Sequence, residues 1–172
     1  MKKINTLLIL IVGLVLTANA QSQYQILPDK SGGKILKGIL SREILMSDTS
    51  FSWFAENQKG YSPNKDALEG LKKHADSLQL LVFMGTWCED SHFIVPKLYS
   101  LADAAGFRSP NITLIGVDRE KKTLSHLSEA LNVTKVPTII VLRNGKEEGR
   151  VVEFGKFGLF DLDLGAILKG LQ

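Results

Sequence analysis

The stretch "VFMGTWCEDS", residues 82–91, contains the only cysteine of this 172-residue chain and joins two structural patterns. It begins inside "LQLLVFMG" (78–85), a continuous apolar run typical of a buried strand. Beyond it, apolar residues recur at helical spacing and predict a helix from about Cys88 to Ala105. Cys88 is therefore expected at a strand-to-helix junction, where free amide groups and the helix dipole favour a thiolate, the nucleophilic form of cysteine.

The neighbours of Cys88 both support and oppose this chemistry. Ser91 lies one helical turn further on the same face, so its hydroxyl is expected to donate a hydrogen bond to the thiolate. Trp87 is expected to shield one side of the sulfur. The acidic pair 89–90 suits the start of a helix, but it places negative charge beside the sulfur and so disfavours the thiolate. His92, four residues after Cys88, is expected to face solvent; the alternative is that it pairs with Cys88.

The other patterns predict an α/β domain behind an N-terminal extension. In chain order, the extension contains an edge strand within 35–46 and a helix capped by Asp48 or Thr49. A helix capped by Ser62 follows, with Ala67, Leu71 and Ala75 on one face, and strands at 78–85 and 112–118 then lie on either side of the Cys88 helix. The remainder is a helix over 121–133 with Leu124, Leu127 and Leu131 inward, a hairpin over 137–154 turning at Asn144-Gly145, and a last helix with Phe160, Leu164, Ile167, Leu168 and Leu171 inward. Strand–helix–strand units of this length imply parallel pairing with right-handed crossovers. We expect the aromatic cluster 51–54 to belong to the core.

Residues 1–20 have the composition of a signal peptide. Lys2 and Lys3 precede an apolar run over 7–16, which is short for a membrane span, and Ala18-Asn19-Ala20 is a typical cleavage signature. We expect cleavage and a periplasmic or secreted protein; the alternative is an uncleaved anchor. The predicted domains are 1–20 signal peptide, 21–64 extension and 65–172 the main domain.

The charge and the histidines limit the possible partners. Without Lys2 and Lys3 the chain has 19 basic and 18 acidic residues, a net charge of +1. This predicts no nucleic-acid binding and no membrane attachment after cleavage. His74, His92 and His126 show no metal-ligand spacing with Cys88, so neither a metal nor a cofactor is expected. One cysteine cannot form an internal disulfide, so Cys88 is a structural thiol, an intermolecular partner or a reactive thiol.

From about residue 65 to its end, the chain resembles the thioredoxin family. Five features occur in the family's order: "VFMGTWCEDS" with Ser91 in place of the resolving cysteine, the helix-kinking Pro96, "VDRE" at 117–120, "VTKVPTIIVLRNGKE" at 133–147, and Gly155 before the last helix. The resemblance implies a thioredoxin-like fold, a central mixed β-sheet flanked by helices. It also implies a cis peptide bond at Val136-Pro137, with the Val136 backbone binding extended peptides. Taken without the resemblance, the start of a strand is the better interpretation of Pro137.

Three departures from the family pattern shape the functional hypothesis. Ser91 cannot resolve a mixed disulfide, Val82 stands where thioredoxins carry a buried acid, and Met84 replaces an aromatic residue. The leading hypothesis is monothiol exchange with protein disulfides or thiols. Cys88 and Ser91 are its catalytic residues, Trp87, Val136 and Pro137 bind the substrate, and a second thiol from the substrate or a small molecule resolves the adduct. The rival is a redox-silent module that binds extended peptides or a partner protein.

Overall fold

The computed structural model describes residues 23–171, so the predicted signal peptide lies outside the described residues. The strands are β1 Tyr24–Pro28, β2 Lys34–Leu40, β3 Leu78–Met84, β4 Ile112–Gly116, β5 Thr138–Arg143 and β6 Lys146–Val152. The helices are α1 Arg42–Ser47, α2 Trp53–Glu56, α3 Lys65–Lys73, α4 Glu89–Ala105, α5 Leu127–Ala130 and α6 Phe160–Lys169, with 3-10 turns at Thr49–Phe51, Ser109–Asn111 and Leu124–His126. Within 23–171, no helix has the length and apolar character needed to cross a membrane.

The six strands form one mixed sheet in the order β1-β2-β4-β3-β5-β6. The central strand β3 pairs parallel with β4 and antiparallel with β5, while β2 pairs antiparallel with β4. This confirms the predicted fold class. The sequence also implied a second parallel unit, in which the helix over 121–133 connects the strand at 112–118 to the first strand of the hairpin, and this expectation is wrong. Between β4 and β5 the chain contains only a 3-10 turn and the four-residue α5, and it enters β5 antiparallel to β3.

The apolar periodicity of the two long helices is confirmed. Each inward residue predicted for α4 is buried: Ile94, Leu98, Leu101, Ala102 and Ala105. Of the inward residues predicted for the last helix, Ile167 is partly buried and the others are buried, with Leu171 just beyond the end of α6. Both helices contribute to the hydrophobic core that also takes in β3. This packing holds the first turn of α4 at the end of β3, the position of Cys88.

Two predictions about helices are wrong. The predicted helix over 121–133 is interrupted because Ser125 and His126 adopt left-handed backbone conformations, with φ of 57° and 54°. Helix α3 is capped by Asn64 and not by Ser62, since the Asn64 side chain accepts a hydrogen bond from the Ala67 amide at 3.1 Å. The backbone amide of Asn64 donates to the Asp161 carboxylate, and this bond fixes the cap against α6.

The N-terminal extension belongs to the same sheet and core as the rest of the described chain. Its hairpin β1–β2 adds two strands, and β2 aligns Gly38 with Gly116 of β4. Leu36, Leu45 and Phe54 are buried in the core cluster that also contains Leu71 and Ile94 of α3 and α4. The extension therefore supplies a hairpin and two short helices, where the sequence predicted an edge strand and a helix.

Candidate thiol site

Cys88 lies at the N-cap position of α4, between the end of β3 and the first helical turn. Its backbone is extended, with φ −104° and ψ 119°. The Cys88 amide donates to the Gly85 carbonyl at 3.0 Å, and the Cys88 carbonyl accepts from the His92 amide at 3.0 Å. The sulfur is therefore next to the free amide groups of a 17-residue helix, which attract an anion.

The sulfur of Cys88 faces the segment that leads into β5. Its thiol donates to the Val136 carbonyl oxygen at 3.3 Å, and Cys88 is half-buried. The Val136–Pro137 peptide bond is cis. The Pro137 carbonyl accepts from the Glu153 amide at 2.7 Å, which fastens this segment to the end of β6. Three of the predicted site residues, Cys88, Val136 and Pro137, are thus brought together.

Ser91 is close to this site but bonds to a different neighbour from the one predicted. It is fully buried, and its hydroxyl oxygen accepts from the Gly85 amide at 3.2 Å. Within residues 23–171 no hydrogen bond joins Ser91 to Cys88, whose thiol donates to Val136. A hydroxyl that accepts one bond keeps its own proton, so Ser91 retains a donor for a thiolate at Cys88.

Trp87 forms a fixed wall on the side of the extension. Its indole N–H donates to the Val117 carbonyl at 3.0 Å, and its ring covers Gly85 so closely that a Cβ there would lie 2.7 Å from it. The Arg119 guanidinium lies 5.1 Å from the ring centre, a cation–π contact. Arg119 also binds both carboxylate oxygens of Asp29, at 2.7 and 2.8 Å. Through these hydrogen bonds, and through one from Ser31, the pKa of Asp29 is lowered.

The prediction that His92 faces solvent is wrong, because its imidazole contacts both Thr86 and Trp53. Its Nε2 lies 2.8 Å from the Thr86 carbonyl oxygen, so the ring N–H donates to it. The imidazole also stacks on the indole of Trp53, with 4.1 Å between ring centres and 16° between planes. Because Trp53 comes from α2 of the extension, no spacing rule along α4 could have revealed this contact.

Thr86 is a second connection to the extension that the sequence did not reveal. The residue is buried, and its hydroxyl donates to the Lys34 carbonyl at 2.8 Å and accepts from the Leu36 amide at 3.1 Å. Both partners belong to β2. The hydroxyl therefore continues the backbone pairing of β2 onto the turn before Cys88.

An open groove of about 440 Å³ separates the extension from Trp87. Its lining includes Trp53, His92, Arg119 and the exposed carboxylate of Glu89. Among the described residues no group of three or more histidine, cysteine or acidic side chains is placed to hold a metal ion.

Two of the three departures from the family pattern lie beneath this site. Val82 and Met84 are both fully buried in the core cluster, on the strand that leads to Cys88. The apolar Val82 side chain cannot accept or release a proton, so that position of the core provides no acid or base for thiol chemistry.

Comparison with known proteins supports the assignment that this geometry suggests. The family profile described as Thioredoxin matches residues 64–157. Thioredoxin of Echinococcus granulosus is 34% identical over 97 residues, 56% of this chain and 84% of that protein. Thioredoxin of Chlamydia trachomatis serovar D is 32% identical over 89 residues, 52% of this chain and 76% of that protein.

A solved structure gives independent support for the fold alone. An HIV epitope-scaffold protein superposes with a TM-score of 0.50 at 18% identity, covering 77% of this chain and all of that one. The profile match spans more than half of the chain, and it contains the Cys88 turn, helix α4 and the Val136–Pro137 segment. The chain belongs to the thioredoxin family.

Proposed function

We propose that this protein is an exported monothiol exchange protein in which Cys88 is the nucleophile. The observation that carries the proposal is the position of Cys88 at the N-terminus of α4, half-buried and facing Val136. The dipole of a long helix and its free amides stabilise a thiolate more than a thiol. The family relationship supports a general role in thiol–disulfide chemistry.

The reaction proceeds in two balanced exchanges. The Cys88 thiolate attacks one sulfur of a partner's disulfide, the partner's S–S bond breaks, and its other sulfur leaves as a thiolate that takes a proton from water. Cys88 is then joined to the partner by a mixed disulfide. A second thiolate, from the partner or from a small thiol, attacks the partner's sulfur and releases Cys88. Ser91 carries no sulfur, so this second thiol must come from outside the chain.

In this mechanism Ser91 and the Val136 backbone have distinct roles. The Ser91 hydroxyl, which accepts from Gly85, donates its own proton to the Cys88 thiolate. Loss of the thiol proton ends the Cys88 bond to Val136, so the Val136 carbonyl becomes available to accept from a partner's backbone. An extended partner strand would bind there as an added β-strand, with Pro137 and Trp87 on either side of the sulfur.

Export belongs to the proposal and is supported by composition. The basic start, the apolar run and the Ala18-Asn19-Ala20 signature fit a signal peptide cleaved before Gln21. We expect the protein from the cell envelope or the medium to begin at Gln21 in intact-mass analysis. A chain that is recovered with residues 1–20 attached would contradict cleavage and favour an anchor.

The exchange reaction can be tested directly because Cys88 is the only thiol. The protein is mixed with insulin as a disulfide substrate, and adducts are separated on non-reducing gels and identified by mass. We expect a disulfide-linked adduct through Cys88 that disappears on adding glutathione. The Cys88→Ala variant forms no adduct, whereas Ser91→Ala, which leaves the thiol in place, still does.

The rival function predicts a different result in the same experiment. A redox-silent binding module forms no adduct, and it holds its partner equally well with Cys88→Ala. If the wild-type thiol stays unreacted while the variant and wild type behave alike in every exchange assay, monothiol exchange is wrong.

A further inference from the structure

The turn that carries Cys88 is tied to its surroundings at each of its four residues, 85 to 88. The Gly85 amide bonds to Ser91, the Trp87 indole to Val117, and the Cys88 thiol to Val136. These ties lie within the part of the chain that matches the thioredoxin profile. The ties of Thr86 differ, because they lead to the N-terminal extension.

Thr86 connects to the extension by two separate routes. Its hydroxyl bridges the Lys34 carbonyl and the Leu36 amide of β2 directly. Its carbonyl accepts from His92, and the ring of His92 lies flat against Trp53 of α2. The first route holds the side chain of Thr86, and the second holds the plane of the Thr86–Trp87 peptide bond.

The extension is itself anchored well enough to serve as a reference. Strand β2 is paired on both edges, to β1 and to β4. Trp53 packs between Phe51 and Phe54, which are both buried in the core. A contact with these residues therefore fixes the turn relative to the whole sheet.

We propose that the N-terminal extension is a positioning element of the thiol site, in which Trp53 orients His92, and His92 and β2 together hold Thr86 so that Cys88 is presented at the start of α4. The proposal rests on the function proposed above, since it concerns the nucleophile of that reaction. Trp53, Thr86 and His92 are positioning residues: none of them bonds to the sulfur, and each acts through the backbone before Cys88.

The physical reason for such a device is the geometry of exchange. Attack on a disulfide requires the sulfur to be aligned with the bond that breaks, and a misplacement of about 1 Å can slow a reaction by about 100-fold. The Cys88 turn contains Gly85, whose backbone is intrinsically permissive. The His92 and β2 bonds remove this freedom by fixing the peptide group between Thr86 and Trp87.

The test separates the hydrogen bond of His92 from its ring stacking. The readout is the rate constant for the reaction of Cys88 with the aromatic disulfide DTNB at pH 7, which needs no protein partner. His92→Phe keeps a ring against Trp53 but loses the donor, and we expect a rate lower by about 10-fold. His92→Gln keeps an N–H near the place of Nε2 and should restore the rate to within about 3-fold of wild type. His126→Phe is the matched control, because its side chain is exposed and bonds to Glu129.

Thr86 and Trp53 supply independent variants. Thr86→Val removes the bonds to β2 at nearly constant shape and should slow the reaction, whereas Thr86→Ser keeps the hydroxyl and should restore it. Trp53→Leu should slow the reaction in the wild-type background but have no further effect when His92 is already phenylalanine, because Trp53 acts only through the hydrogen bond from His92 to Thr86, which that variant has already lost. Thermal unfolding of each variant shows which ones are folded, and if either His92→Phe or Thr86→Val does not fold, the other variant supplies the test because it breaks the second route to Thr86.

The results distinguish this proposal from the function on which it rests. If His92→Phe and Thr86→Val are folded and react with DTNB at the wild-type rate, the positioning role is wrong even where exchange with insulin is intact. If wild type forms no adduct with insulin but the variants still differ in DTNB rate as expected, monothiol exchange fails and the positioning role stands.

Discussion

Ser91 accepts a hydrogen bond from the Gly85 amide at 3.2 Å, and this bond joins the first turn of α4 to the end of β3 directly beneath Cys88. Ser91 is fully buried at the place where a dithiol thioredoxin would carry its second cysteine. Its side chain therefore has two roles at once: it satisfies a buried backbone donor and it leaves the site with a single thiol.

Replacing Ser91 with cysteine should convert the site to a dithiol. Residues three apart on a helix are neighbours, with Cβ atoms about 5–6 Å apart, close enough for a disulfide after a small adjustment. We expect Ser91→Cys to form an internal disulfide on oxidation, which intact-mass analysis detects as the loss of two hydrogens. Its adduct with insulin should fall by about 10-fold, because the second thiol displaces the partner.

The matched variant Ser91→Ala separates the two roles of this side chain. It leaves the Gly85 amide without its buried acceptor, so the free energy of unfolding in urea should fall by about 1–3 kcal/mol. The insulin adduct should form more slowly than in wild type, because the hydroxyl donor to the Cys88 thiolate is lost, but once formed it should last as long, because no second thiol is present. An adduct of Ser91→Cys that is as long-lived as that of Ser91→Ala would contradict the proposed geometry of the two sulfurs.

The bend between β6 and α6 gives a prediction about stability near the site. Gly155 has φ of 77°, and a Cβ there would lie 2.4 Å from the Asp163 carboxylate. That carboxylate accepts from the Lys156 and Phe157 amides at 2.9 and 3.0 Å. Gly155→Ala should therefore displace Asp163 and lower the free energy of unfolding by about 2–4 kcal/mol.

Gly158 offers the control for this substitution. It also has φ of 77°, but no atom lies within 4 Å of an added Cβ. Gly158→Ala should cost only the backbone strain of a left-handed residue, about 1–2 kcal/mol. Equal losses in the two alanine variants, measured by urea unfolding, would show that the contact with Asp163 is unimportant.

Local patterns predicted the position of Cys88, whereas contacts across the fold decided how that position is supported. The apolar runs of β3 and α4 are continuous in the sequence, so the strand-to-helix junction could be located without a structure. The prediction that His92 faces solvent is wrong because its partners Trp53 and Thr86 are brought to it by tertiary packing, which the local sequence pattern does not reveal. The helix over 121–133 was predicted from its leucines, a pattern that does not reveal the left-handed backbone at Ser125 and His126.

Alkaline pH should destabilise the fold through Tyr61. Burial raises the pKa of the Tyr61 hydroxyl, and its 2.8 Å hydrogen bond to Asp161 raises it further. The folded state therefore holds this proton more tightly than the unfolded state, in which the hydroxyl has the ordinary tyrosine pKa of 10.0. The contribution of Tyr61 is complete below about pH 10 and is lost as the pH rises above it. Burial likewise raises the pKa of Tyr99, to about 12.

Urea unfolding between pH 8 and 11 tests this linkage. The stability of wild type should fall above about pH 10, and Tyr61→Phe should show a shallower fall because one of the two perturbed hydroxyls is absent. A Tyr61→Phe profile parallel to that of wild type would exclude the linkage.

Acidic pH should weaken the contact between the β1–β2 turn, which contains Asp29, and Arg119, which lies over the Trp87 ring. The Arg119 hydrogen bonds, followed by that of Ser31, lower the pKa of Asp29 from its ordinary value of 3.8. A carboxylate with a lowered pKa stabilises the fold above its unfolded value, and this contribution is lost as the pH falls through the folded value. The loss therefore begins near pH 3.8 and grows at lower pH.

Asp29→Asn should lower the melting temperature at pH 7, and its difference from wild type should shrink as the pH falls from 4 towards 2. Asp76→Asn, at an exposed position that forms no ion pair among the described residues, is the matched control for the change from aspartate to asparagine. A constant offset between Asp29→Asn and wild type from pH 7 to pH 2 would mean that the Asp29 charge contributes nothing to the stability of the fold.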